Sequence, residues 1–161
     1  MRDYIVELDA PLARPLDAIV RVSCTARPDY PSWTGRVMHT DLQNTGPSRY
    51  DLRTDVTPWR HDSQKRGFIR GNAVYEYLET RNEIDSCLGR VDCVEIKKMG
   101  APIFRAVFGD KALLFFLRST IASQSGILEA PCLFIFNNEV MDRWFWLGGY
   151  WPTNYFTLRF N

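Results

Sequence analysis

Residues 112–117, Ala-Leu-Leu-Phe-Phe-Leu, constrain this chain more than any other stretch. Six apolar residues in a row leave no polar face, so a strand built from them is buried on both sides. Something must then cover each face of its sheet. The preceding stretch supplies one cover. Val74, Tyr77, Leu78, Ile84 and Leu88 follow the i, i+3, i+4 rhythm of a single helical face. Asn72 offers an N-cap oxygen, Glu76 and Glu79 sit near the N-terminal end, and Gly89 suits a left-handed exit. A helix over about residues 72–88 is expected. The rival reading is a strand over 74–78 followed by a turn at Arg81-Asn82.

Most of the remaining pattern has period two. Residues 2–8 alternate, with Tyr4, Val6 and Leu8 on one face. Residues 16–24 alternate more cleanly, placing Leu16, Ala18, Val20, Val22 and Cys24 inward. Residues 36–42 form a further strand, and 49–56 place Tyr50, Leu52 and Val56 inward. Beyond the helix, 90–98 and 103–108 read as strands separated by the breaker Gly100-Ala-Pro102, with a tight turn at Gly109-Asp110. Residues 120–131 read as a loop. Strands follow at 132–136 and 140–147, and 155–160 turns Phe156, Leu158 and Phe160 inward. Short connections favour antiparallel neighbours. The fold expected is β-rich α+β: an antiparallel curved sheet or barrel packed on one main helix.

The length of 161 residues suits a single globular domain over 1–161, with about two-thirds of the unfolded surface buried. Aromatics at 14% favour an aromatic β core, and a net charge of +1 argues against nucleic-acid binding over the whole surface. There is no run of membrane-span length and no secretory leader, so the expected setting is cytoplasmic, with no membrane. Cys24, Cys87, Cys93 and Cys132 lack C-x-x-C spacing and read as buried free thiols rather than zinc ligands. His39 and His61 form no metal pair, and no P-loop, dinucleotide fingerprint or nucleophile elbow is present.

Three constellations can carry function. Asp85 precedes Glu95-Ile96-Lys97 by ten positions, with the apolar pair Cys93-Val94 before the second acid. This resembles the catalytic signature of the PD-(D/E)xK nuclease superfamily. The resemblance implies Asp85 and Glu95 as ligands of Mg²⁺ or Mn²⁺ and Lys97 as the catalytic lysine. Such a metal activates water and balances charge on phosphate. On the helix expected here, Asp85 instead falls in the last turn and pairs with Arg81, and Glu95 and Lys97 are the solvated face of a strand.

The second constellation is the basic stretch 57–71, the most basic in the chain. Arg60, His61, Lys65, Arg66 and Arg70 can meet phosphates while Trp59 and Phe68 offer stacking platforms, so nucleic acid can bind through loop 60–70. The third is the aromatic C-terminal region, where Tyr150, Trp151 and Pro152 follow a double glycine and are expected to be exposed.

Weak catalytic chemistry and abundant tryptophan and arginine favour a non-enzymatic protein-interaction module of inhibitor type, resembling immunity proteins, phage anti-defence proteins or structural subunits, without cofactor. Its binding residues would be Trp59, Arg60, His61, Lys65, Arg66, Arg70, Tyr150 and Trp151, and its partner a protein. A homodimer would protect sheet edges. The alternatives are the metal-dependent nuclease and a β-barrel whose aromatics line a small-ligand cavity.

Overall fold

The computed structural model describes residues 17–161, so the alternation over 2–8 and the position of Leu16 lie outside the described residues. The apolar run forms strand β5 (Leu113–Phe115), and consecutive residues Leu114 and Phe115 are both 0% exposed. The double covering required by that run is present. Leu114, with Leu133, Phe156 and Leu158, packs under helices α2 (Arg90–Met99) and α3 (Ala101–Phe108). Phe115, with Ala130 and Cys132, packs under helix α1 (Gly71–Thr80) and Trp151.

The described residues form a β-rich α+β fold with three α-helices. β1 (Ile19–Arg21) and β3 (Arg49–Asp51) make a two-stranded antiparallel sheet on the α2 side, inserting Val20 and Tyr50 into the core. A seven-stranded sheet is assembled from β2 (Thr34–Val37), β4 (Val56–Trp59), β5, β6 (Ile121–Ser123), β7 (Leu128–Phe136), β8 (Glu139–Trp146) and β9 (Tyr155–Phe160). Its order is β2-β6-β7-β5-β9-β4, with β8 on the other edge of β7. The sheet is mixed and open. β5 and β9 are parallel, because β9 returns through the irregular stretch 147–154 rather than a hairpin, and among the described residues no barrel closes.

Three expectations about helices and strands are corrected. The helix over 72–88 stops at Thr80: Asn82 takes φ 56°, and a single 3-10 turn, Ile84–Ser86, follows. Its N-cap is Arg70, while the Asn72 side chain accepts from the next amide, Ala73. The strands expected over 90–98 and 103–108 are α2 and α3. Arg90 and Asp92 are buried polar residues on α2, so the apolar residues alone do not show its helical period. On α3, Pro102 lies in the first turn, where the missing N–H is harmless. The buried set Ala101 and Phe104 then has helical spacing.

The loop expected over 120–131 contains β6 and the start of β7. Pro131 lies inside β7, a position that normally breaks a ladder. It is tolerated because β6 pairs at Leu128 and Glu129, and β5 only from Cys132 onward, so Pro131 faces the gap between them. The pattern of 49–56 is also divided, into β3, a turn and β4, although Tyr50, Leu52 and Val56 are all buried as expected. Cys24 is exposed, whereas Cys87, Cys93 and Cys132 are buried; all four are free thiols.

Candidate functional site

The residues of the nuclease-like signature do not come together. Asp85 lies in the 3-10 turn after α1 and lines a cleft of about 410 Å³ with His39, Asp41 and Glu79. Glu95 and Lys97 lie on α2, where residues two apart point about 200° apart rather than sharing a strand face. Glu95 pairs with Lys98 at 2.9 Å, while Lys97 reaches Asp142 on β8 at 2.5 Å and lines a different cleft. Among the described residues, no group of three or more His, Cys, Asp or Glu side chains is arranged to hold a metal ion.

In the Asp85 cleft, His39 Nε2 lies 2.5 Å from the hydroxyl of buried Tyr75. Burial holds the His39 imidazole below its ordinary range, against the pull of Glu79 and Asp41. Burial likewise pushes Tyr75 up, so its hydroxyl stays protonated. The ring nitrogen that would serve as a base is therefore already engaged by a hydroxyl that keeps its proton.

The basic stretch is dispersed by the fold. Trp59 is half-buried and stacks on Tyr77 of α1, with centroids 5.9 Å apart. His61 packs edge-on to the same ring at 4.7 Å, and its side chain caps the 3-10 turn Asp62–Arg66 by accepting from the Ser63 amide. Lys65 and Arg66 are exposed. Arg60 turns away to the Thr153 carbonyl and the Phe156 ring. The expected exposure of Trp151 is overturned. It is 1% exposed, stacked on Phe115 at 4.2 Å, and its indole N–H sits over Gly71, where an added Cβ would come within 2.2 Å.

What the fold brings together instead is Arg70 and Tyr150. They form an isolated antiparallel bridge, and the Arg70 guanidinium lies 4.6 Å from the Tyr150 ring centroid. Arg70 also donates to the Gly148 carbonyl at 2.7 Å. Gly148 is where the Trp146 ring rests, so closely that any Cβ there would clash with it. Trp146 closes β8 opposite Glu129 of β7, and Glu129 accepts from the Trp33 indole at 2.7 Å. Ile127 spans the space between, lining one shallow groove with Trp33 and another with Trp146. Phe68 precedes the strand-like contact of Ile69 with Trp151.

The product is an aromatic face at the Trp146 end of the sheet. Phe68 is 80% exposed, Tyr150 57% and Trp146 54%, and Trp33 and Ile127 are exposed as well. Arg70, paired with no carboxylate among the described residues, supplies the charge. Sequence reasoning singled out Arg70, Phe68 and Tyr150 separately but missed Trp33 and Ile127. Ile127 lies in the stretch expected to be a loop, Trp33 just before β2, and the β2-β6-β7 pairing carries both to this end.

Among the described residues no helix is long and apolar enough to cross a membrane. Comparison with protein-family models, curated proteins and solved structures finds no match to this chain.

Proposed function

We propose that this chain is a non-enzymatic protein-binding module of inhibitor type, and that it engages its partner through the aromatic face. The observation that carries this reading is the exposure of Trp33, Ile127, Trp146, Tyr150 and Phe68 at this end of the sheet, with Arg70 laid on Tyr150. Large exposed apolar patches on a monomeric protein mark interaction sites. Tryptophan, tyrosine and arginine are also the side chains that dominate binding energy at protein interfaces. The rings are held in place by Gly148, Glu129 and Arg70, so little side-chain freedom remains to be lost on binding. Four free thiols suit a reducing, cytoplasmic setting.

The test is cross-linking of the chain in its host lysate, followed by affinity measurement on the purified pair. Replacing Trp146 and Tyr150 together by Ala is expected to weaken binding by about 2–4 kcal/mol, with the unfolding midpoint little changed. Sedimentation of the isolated chain distinguishes a second copy from a different protein as the partner. Unchanged affinity in the folded double variant, or cross-links that map away from this face, would sink the proposal.

A further inference from the structure

A second concavity lies at the other end of the sheet. β7 runs from Glu129, opposite Trp146, to Phe136, opposite Glu139. β5 and β9 begin in parallel register at Leu113 and Tyr155, beyond the Leu133 pairing and so toward the Phe136 end. There a cleft of about 370 Å³ opens between the end of β4, the turn after α3 and the start of β9. The rings of Phe108 and Phe156 contribute an apolar floor, with centroids 6.4 Å apart. Arg60 lays its guanidinium 4.2 Å from the Phe156 ring centroid, and its Nε donates to the Thr153 carbonyl.

The two terminal nitrogens of the Arg60 fork have no hydrogen-bond partner among the described residues. Lys111, on the same cleft, makes no ion pair among them either. Among the described residues Asp110 is the one carboxylate lining the cleft, and Arg105 already holds it. Burial pulls Arg60 below the ordinary guanidinium range. An arriving anion would offset that lost hydration.

We propose that this cleft binds a carboxylate carried on a flat apolar body, with the carboxylate on the free fork of Arg60 beside Lys111 and the body against Phe108. A guanidinium fork matches the two oxygens of a carboxylate in one plane. The C-terminal end of α3 and Asp110 both oppose an anion, so the cations need the apolar contact to succeed. A bare inorganic anion lacks that contact. The same chemistry occurs in a free aryl acid and at the C-terminus of a peptide ending in an aromatic residue.

The test is an amide-resolved NMR titration of the whole chain, reading the signals of Lys111, Ala112, Asn154 and Phe156. The probes are 3-phenylpropionate, its neutral amide, inorganic phosphate, and a short peptide ending in Phe as free acid and as C-terminal amide. The acids are expected to shift these signals saturably and to bind about tenfold or more tighter than their amides. Arg60→Met and Lys111→Met are each expected to weaken the acids about tenfold. Lys111 is exposed, so its variant keeps the test valid if Arg60→Met disturbs the fold. Tighter binding of either acid supports the site and names its source. Equal binding of acid and amide, phosphate binding as tightly as phenylpropionate, or no saturable shift would overturn it.

Discussion

Removing the Arg90 guanidinium should separate a carboxylate that matters from one that does not. Arg90 is almost fully buried at the start of α2. Its Nε and Nη2 donate to Asp29 at 2.9 and 3.2 Å, and its Nη1 donates to Asp142 of β8 at 2.8 Å. Burial opposes the Arg90 charge, but the hydrogen bonds to Asp29 and Asp142 outweigh it, so its proton is held more firmly than usual. The two acids are not equivalent. The Asp29 side chain is 73% exposed and regains water when Arg90 is lost, whereas Asp142 is 24% exposed and also carries Lys97.

An exposed pair is worth about 0–1 kcal/mol, and a charged hydrogen bond in a half-buried setting about 1.5–3. Arg90→Met is therefore expected to cost about 2–4 kcal/mol, Asp142→Asn about the same, and Asp29→Asn under about 1 kcal/mol. The assay is urea unfolding followed by tryptophan fluorescence, reading the midpoint at unchanged slope. The double variant Arg90→Met with Asp142→Asn should lose less than the sum of its parts, because the two groups touch. The Arg90 interaction with Asp29 lowers that carboxyl, and Lys97 and Arg90 lower Asp142 against the effect of burial. Their contribution is thus present above the ordinary carboxylate pKa of 3.8 and is lost as pH falls below it. Equal losses in Asp29→Asn and Asp142→Asn, or a loss under about 1 kcal/mol in Arg90→Met, would refute this account. The prediction also bears on the aromatic face, since the segment held through Asp29 carries Tyr30 against Trp144 and leads to Trp33.

Gly71→Ala should destabilise despite the better helix propensity of alanine. Its Cβ would meet the Trp151 ring at 2.2 Å and the Leu147 carbonyl at 2.8 Å, and a thermal melt should show a loss of about 1–3 kcal/mol. Because burial depresses His39, wild-type stability should fall as pH drops below the unfolded histidine pKa near 6.5, and His39→Gln should flatten that slope in urea midpoints taken across this range. With a thiol reagent at neutral pH, Cys24 alone should react quickly in the native chain. Burial pushes Cys87 and Cys93 up to about 11 and 12, and raises Cys132 as well, so these three should react only on unfolding.

Local pattern determined a good part of this protein. The polarless run 112–117 demanded a strand covered on both faces, and α1 covers one of them. The alternation of Tyr50, Leu52 and Val56, and of Phe156 and Leu158, named core residues correctly, because inward and outward positions on a strand are separated by neighbours in the chain. The same logic failed where a buried group was polar. Arg90 and Asp92 count as surface until Asp29, Asp142 and Tyr50 are known to receive them, and those partners are distant in sequence. On α2 these two residues therefore disguise the helical period.

The candidate site was legible only in fragments. Composition singled out tryptophan, tyrosine and arginine, and Arg70, Phe68 and Tyr150 do lie at the aromatic face. Nothing local distinguishes Trp151, sealed between Phe115 and Gly71, from Trp146, left open beside Gly148. Exposure of an aromatic ring depends on what the rest of the chain lays over it. Tertiary structure alone decided which rings face solvent and which arginine stands among them.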